Sequence, residues 1–128
     1  MNMLQRSGQM FHGYEVQLTE SHQATKTSVP GTAVQMANSL GLAQERIVSI
    51  RNASQQTDEY QIPEAHLNRH AFHRITLQDG PCSISMETRV YGDTPYANGV
   101  QQILKAIQNR SLEPRVYAIT DFIENGWI

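Results

Sequence analysis

The stretch from Glu20 to Thr32 contains the side chains best suited to chemistry. His22 follows an alternating apolar segment, Lys26 lies in the polar run after it, and Gly31 begins a helical pattern. Backbone N–H groups at the start of a helix attract anions, and glycine lets a ligand approach the backbone closely. An imidazole and an ammonium group opposite these amides would add a proton donor and a second positive charge. The spacing therefore predicts a site for a small carboxylate, and the alternative is a solvated loop without a ligand.

Two elements must hold this loop in place. Residues 14–18 alternate between apolar and polar side chains, which is typical of a half-buried strand, and this strand runs on to His22. After the loop, a helical pattern starts at Thr32 and ends near Gly41, since glycine is common just past a helix end. Residues 47–50 form a short apolar run that predicts a buried strand.

The second half of the chain predicts a hairpin and a helix. Residues 71–77 and 82–90 alternate in the same way on either side of an Asp-Gly turn signal. Thr94 and Pro95 are expected to be the N-cap and first residue of the helix that follows. The closing segment, residues 116–123, fits either a strand or a helix.

The remaining segments complete the predicted fold. Residues 3–11 have helical spacing interrupted by Gly8, and residues 52–61 are polar without a predicted element. Residues 63–66 predict a turn or one helical turn. We therefore predict an α/β (α+β) fold, with a mixed sheet of about four strands and helices on one face. The bare opposite face predicts a homo-oligomer, a tetramer or a dimer, with the hairpin strands at or near the contact.

Composition excludes several classes of protein. The 128 residues are enough for one domain, and a net charge of -2 gives no positive field for nucleic acid or an anionic membrane. We expect one domain over residues 1–128, without a signal peptide or a membrane span. The single cysteine, Cys82, excludes an intramolecular disulfide and favours a cytoplasmic location.

Two other groups of residues invite a functional interpretation. His66, His70 and His73 are spaced by four and three residues, yet a turn followed by a strand would not bring all three to one point, so no metal site is predicted. Cys82 lies in an alternating strand, where a lone cysteine is usually a small buried apolar residue rather than a nucleophile.

The loop and several later motifs together resemble a known family. Residues 20–33 read ESHQATKTSVPGTA, similar to the Glu-x-His-[His or Gln]-x-x-Lys-x-Asp loop and Ser-Gly-Thr-Ala turn of 4-hydroxy-tetrahydrodipicolinate reductases. The motifs IRNASQQ, IPEAHLNRHAFH, YGDTPYANG and RVYAITDFIENG follow in the order of one branch of that family. Several motifs in one order are far more specific than any single motif. The chain from Gly13 onward thus resembles the C-terminal, substrate-binding and tetramerisation domain of these enzymes.

The resemblance implies roles for five residues. His22 and Lys26 would be catalytic, with the lysine donating a proton to the substrate nitrogen. Gly31 and Thr32 would bind a substrate carboxylate through backbone and hydroxyl, and Gln23 would also contact the substrate. The implied ligand is a small cyclic dicarboxylate imine of the lysine and diaminopimelate pathway.

Three residues depart from the family pattern. Ser28 replaces the aspartate of the loop, and Pro30 replaces the serine before Gly-Thr, which removes one backbone N–H from the anion site. Asp93 stands where the branch has arginine, which places a negative charge near the expected dianionic ligand. These departures leave the identity of the substrate open.

The sequence contains no Gly-x-Gly-x-x-Gly motif, so no nucleotide-binding domain is predicted within residues 1–128. We expect the chain alone to bind no cofactor, with NAD(P)H bound only by a fused or separate nucleotide-binding domain. Three interpretations stay open: part of a reductase, a stand-alone domain with a cofactor-free reaction such as isomerisation, cyclisation or dehydration, and a non-catalytic oligomerisation module.

Overall fold

The computed structural model describes residues 2–128. The chain forms two compact units, Met1–Asp93 and Thr94–Ile128. The single domain predicted for residues 1–128 stays a prediction, because compactness of a segment is not a test of whether it folds alone. No helix among the described residues is long and apolar enough to cross a membrane.

A four-stranded mixed sheet forms the centre of the first unit. The strands are β1 (Glu15–His22), β2 (Val48–Ile50), β3 (His70–Asp79) and β4 (Cys82–Tyr91), in the order β2-β1-β3-β4. The β1–β2 pair is parallel, whereas β1–β3 and β3–β4 are antiparallel. This confirms the predicted mixed sheet and the hairpin.

The register of β1 brings its polar end next to two other strands. Ser21 pairs with Ile50 of the parallel strand β2, so the residue after β2 lies beside the carboxyl end of β1. Across the antiparallel pair, Glu20 lies opposite His73 and His22 opposite Ala71. Residues directly opposite each other share one face of a sheet, so a cluster of polar groups forms here.

The helices of the first unit pack against the apolar part of the sheet. They are α1 (Asn2–Ser7), which continues into a 3₁₀ turn at Gly8–Phe11, and α2 (Gly31–Ser39), which ends as predicted before Gly41. Gly41 has a φ of 67°, which suits glycine, and the amide of Leu42 reaches back to the carbonyl of Ala37. The core formed in this way contains Leu4, Val16, Leu18, Ala33, Met36, Ala37, Leu40, Leu42, Ile47, Ile75 and Leu77.

A short helix occupies the polar segment in which no element was predicted. This helix, α3, spans Ala53–Asp58. Its N-cap is Asn52, whose side chain accepts a hydrogen bond from the amide of Gln55. Only one of its side chains, Gln56, is buried, so an apolar periodicity never appears. The only feature of the sequence that could have indicated this helix is Asn52, a residue type that often caps a helix N-terminus. Short 3₁₀ turns at Gln44–Arg46 and Glu64–His66 complete the connections.

The second unit contains two helices, α4 (Ala97–Gln108) and α5 (Ile119–Glu124). The predicted cap at Thr94 is wrong, because Tyr96 is the N-cap and no side chain caps α4. Thr94 instead contributes its carbonyl to a turn, bonded by the amide of Ala97. The closing segment is helical from Ile119 onward rather than a strand, and Asp121 accepts a hydrogen bond from the amide before α5.

Candidate functional site

The five predicted site residues lie between the end of β1 and the start of α2. His22 is the last residue of β1 and Gly31 the first of α2. His22, Gln23 and Lys26 are half-buried, whereas Gly31 and Thr32 are exposed. The amide of Lys26 donates to the carbonyl of Gln23, which closes a turn within the loop. Within residues 2–128, no side-chain hydrogen bond joins Gln23 or Thr32 to His22 or Lys26.

The Glu20 side chain contacts the His22 ring through a hydrogen bond. This side chain is fully buried, and one oxygen, Oε2, lies 2.7 Å from Nδ1 of His22. Burial alone would raise the pKa of Glu20, but hydrogen bonds from His22, Arg51 and Ser49 outweigh it and lower the pKa to about 2. The carboxylate is therefore ionised at neutral pH and acts only as a hydrogen-bond acceptor.

Arg51 is the residue of the site to which the sequence assigned no role. It follows β2, and its guanidinium binds both oxygens of Glu20, at 2.5 Å from Nη2 and 3.1 Å from Nη1. Its Nε also donates to the carbonyl of Lys26 at 3.0 Å. The parallel pairing of β2 with β1 brings Arg51 to this position, and strand pairing is not visible in local periodicity.

A second polar network lies on the other face of β1. Nδ1 of His70 lies 3.0 Å from the carbonyl of His66, so this nitrogen carries the proton and Nε2 accepts from Ser21 at 2.9 Å. The amide of Gln56 donates to Ser21 and to the carbonyl of His22. Burial lowers the pKa of His70, which keeps its ring neutral. The backbone at the end of β1 is thus anchored from both faces.

His73 contacts the site from β3. Its ring meets that of His22 edge to face at 5.6 Å, and Nδ1 lies 3.2 Å from the hydroxyl of Thr88. The buried Nε2 has no hydrogen-bond partner among residues 2–128. Burial and the neighbouring His22 lower the pKa of His73 to about 4, although Glu20 acts in the opposite direction. The ring is therefore neutral at physiological pH.

The three histidines weighed as metal ligands have other contacts. His66 stacks on Tyr91 at 5.0 Å, and both ring nitrogens of His70 are hydrogen bonded. Within residues 2–128, no group of three His, Cys, Asp or Glu side chains has the arrangement of a metal site. The expected burial of Cys82 is wrong: this residue is exposed, because it begins an edge strand at the hairpin turn.

The departures from the family motif have visible consequences. Pro30 is the N-cap of α2, and no side chain caps the helix. The first amides of α2 have no acceptor within the helix, which leaves them available to an anion, but Pro30 itself has no N–H to contribute.

Asp93 pairs with Arg69 at 3.0 Å, and both side chains are more than two-thirds exposed. Such an exposed pair contributes little stability.

The fold and this polar strand end define an α/β domain in which a loop carrying Lys26 lies beside the Glu20–Arg51 ion pair. Residues 1–123 match the family described as dihydrodipicolinate reductase, C-terminus. The chain is 33% identical over 127 residues to 4-hydroxy-tetrahydrodipicolinate reductase 2, chloroplastic, of Arabidopsis thaliana, and 32% identical to reductase 1 of that plant. Both alignments cover 91% of this chain and 36% of the relative. The chain belongs to the dihydrodipicolinate reductase family, as its motifs indicated, and corresponds to the C-terminal part.

One solved structure supports the fold independently. It is described as dipicolinate-bound dihydrodipicolinate reductase from Paenisporosarcina sp. TG-14, with a TM-score of 0.55 and 15% sequence identity. The match covers 84% of this chain and 45% of that chain. At this identity the likeness establishes the α/β fold alone. The chain spans less than half the length of these relatives.

Proposed function

We propose that this chain is the substrate-binding and catalytic domain of a 4-hydroxy-tetrahydrodipicolinate reductase in lysine and diaminopimelate biosynthesis. One observation carries the proposal: the buried Glu20–Arg51 pair contacts both the His22 ring and the backbone of Lys26. Such a buried ion pair gives two chemically reactive residues a common support, which a solvated loop would not need. The proposed ligand is a small cyclic dicarboxylate imine, and dipicolinate in the solved relative supports that chemistry.

Each residue of the loop has a proposed role. Lys26 attracts the dianion and donates a proton to its ring nitrogen, while His22 presents Nε2, which can take up and return a proton, to the same ligand. The amides at Gly31 and Thr32 and the threonine hydroxyl bind one carboxylate. Gln23 provides a further hydrogen bond. Because Pro30 has no N–H, we expect this carboxylate to depend more on the Thr32 hydroxyl.

The residues of this chain do not fit a nicotinamide dinucleotide. The sheet has one parallel pair rather than the successive parallel strands of a dinucleotide-binding unit, and the sequence has no glycine-rich phosphate loop. We therefore propose that NAD(P)H is bound by a fused or separate nucleotide-binding domain. Relatives more than twice as long as this chain support that partner.

The two other functional classes differ in which residues of the loop they require. A non-catalytic oligomerisation module needs the sheet but none of His22, Lys26 and Thr32. A domain with a cofactor-free reaction would use the same loop on a related carboxylate. The buried support beneath His22 favours either enzymatic class over the oligomerisation module.

Binding of dipicolinate (pyridine-2,6-dicarboxylate) tests the proposal. A charge-assisted contact contributes about 1.5–3 kcal/mol, so Lys26→Ala should weaken binding roughly ten- to a hundredfold. Titration calorimetry on the parent and the variant measures this. Lys105→Ala, which removes the same charge from α4 in the second unit, is the matched control and should bind as the parent does. Equal affinity in the parent and Lys26→Ala, or binding in neither, would contradict the proposal.

A further inference from the structure

One guanidinium connects the two residues proposed to be catalytic. Arg51 forms a two-pronged ion pair with Glu20 and donates from Nε to the carbonyl of Lys26. Its Nη1 also donates to the carbonyl of Ile50 at 2.8 Å, which fixes the guanidinium relative to its own strand. A guanidinium is planar and rigid, so these contacts fix the position of the Glu20 carboxylate relative to the loop backbone.

The Glu20 carboxylate in turn determines which nitrogen of His22 carries the proton. Oε2 lies 2.7 Å from Nδ1, and an ionised carboxylate can only accept a hydrogen bond. Nδ1 must therefore be the donor, which leaves the lone pair of the neutral ring on Nε2. Within residues 2–128 no group hydrogen bonds to Nε2, so this atom is available to a ligand.

The surroundings leave the His22 ring little freedom to turn. Its side chain is 13% exposed, and the rings of His73 and His70 lie 5.6 and 6.4 Å away, centre to centre. The backbone carbonyl of His22 accepts a hydrogen bond from Gln56 at 2.8 Å. Glu20 itself is fully buried, so water does not compete for its oxygens. This arrangement differs from an exposed ion pair, which would leave the ring free.

We propose that Glu20 and Arg51 are positioning residues of this site: Glu20 keeps a proton on Nδ1 of His22, and Arg51 holds the Lys26 loop against the same carboxylate. The use of this arrangement in catalysis rests on the proposed function. The tautomer of His22 and the order of the loop do not, so they can be measured without any ligand.

Histidine ¹⁵N spectra of the full chain at neutral pH test the role of Glu20. Neutral His22 should carry its proton on Nδ1 in the parent and in Glu15→Gln, an exposed carboxylate on the same strand that serves as control. Glu20→Gln should lose this single tautomer, because a neutral amide can donate as well as accept. A parent ring protonated on Nε2, or an unchanged spectrum in Glu20→Gln, would overturn the proposal. The parent spectrum decides the question even if Glu20→Gln does not fold.

The variant Arg51→Lys separates the role of Arg51 from that of Glu20. A lysine keeps the positive charge beside Glu20 but lacks the fork that also reaches the carbonyl of Lys26. We expect the His22 tautomer to stay as in the parent while amide hydrogen exchange at Lys26 becomes faster. Dipicolinate should bind roughly tenfold more weakly, the usual effect of losing one charged hydrogen bond. Arg46→Lys, at an exposed site, should change neither.

The outcomes for the two claims are distinct. If the parent does not bind dipicolinate, the proposed function fails, while the tautomer and the exchange rate still decide the positioning roles. If dipicolinate binds but Arg51→Lys leaves both affinity and Lys26 exchange unchanged, Arg51 does not position the loop.

Discussion

At the scale of single residues, His73 has a buried Nε2 that makes no hydrogen bond within residues 2–128. The residue lies opposite Glu20, which is ion-paired with Arg51. The charged and titratable groups that influence it are His22 and Glu20, and Thr88 contacts its other nitrogen. Because its pKa falls from 6.5 to about 4 in the folded protein, the unfolded chain takes up a proton more readily than the native state. The neutral ring therefore makes the fold sensitive to acid.

We expect stability to be full above pH 6.5 and to fall as the pH drops towards 4. His73 should account for up to about 3 kcal/mol of this loss, and His70, whose pKa is also lowered, for a further part. Urea unfolding at several pH values measures the slope. His73→Gln should flatten it between pH 6.5 and 4, whereas the exposed control His12→Gln should not. Equal slopes in parent and His73→Gln would refute this account of acid sensitivity.

The site residues differ in how far the sequence could predict them. His22 and Lys26 could be predicted because a strand pattern, a polar loop and a helix start follow one another in the chain. Arg51 could not, since it reaches Glu20 across a parallel strand pair formed by residues about 30 positions apart. The burial of Glu20 could not be predicted either, because a glutamate in an alternating strand normally predicts an exposed position.

At the scale of elements, Gly8 determines how closely α1 can approach the end of α2. A Cβ built at Gly8 would lie 1.9 Å from the carbonyl oxygen of Ser39, a backbone atom that cannot easily move. Glycine is thus required here by close approach rather than by an unusual backbone conformation. The same glycine predicted a helix interruption in the sequence, and the chain does change there from α-helix to 3₁₀ turn.

Substitution of Gly8 by alanine should destabilise the first unit by roughly 1–3 kcal/mol, the usual cost of inserting a methyl group into a filled space. The matched control is Gly99→Ala within α4, where nothing lies within 4 Å of the added Cβ. That variant should be neutral or more stable by about 0.5–1 kcal/mol, because alanine favours helix. Thermal unfolding of both variants measures the difference, and a stabilised Gly8→Ala variant would show that the contact with Ser39 is not tight.

The elements with strong periodicity were predicted well and those defined by capping were not. The hairpin of β3 and β4 follows from two alternating runs and an Asp-Gly turn. By contrast, α3 buries a single polar side chain, and α4 begins at Ala97 without a side-chain cap, so the Thr94-Pro95 signal was misleading. The start of α4 depends on backbone hydrogen bonds that residue types alone do not reveal, and the start of α3 was indicated only by its cap residue, Asn52.

At the scale of the whole molecule, the outer strand of the sheet lacks cover. Seven of the ten residues of β4 are exposed, and Ile84, which pairs with Leu77 of β3, is 45% exposed. A long edge strand with exposed apolar side chains invites pairing with another chain. This exposed edge favours the predicted homo-oligomer.

Light scattering at micromolar concentration should therefore give the mass of a dimer or a tetramer. Ile84→Asp places a charge on β4 and should shift the protein towards the monomer. Val116→Asp changes an equally apolar, 92% exposed residue of the second unit and should leave the mass unchanged. A parent protein that is monomeric throughout this range would rule out the predicted oligomer.

The central claim is that the loop between β1 and α2, held by Glu20 and Arg51, binds a small dicarboxylate. Backbone amide spectra recorded during a titration with dipicolinate test it most directly, because they locate the ligand without requiring activity. We predict saturable shifts concentrated in residues 22–32 and at Arg51. Shifts concentrated elsewhere, for example around the 280 Å³ cavity lined by Phe11, Tyr14 and Arg46, or no saturable shifts at all, would contradict the account.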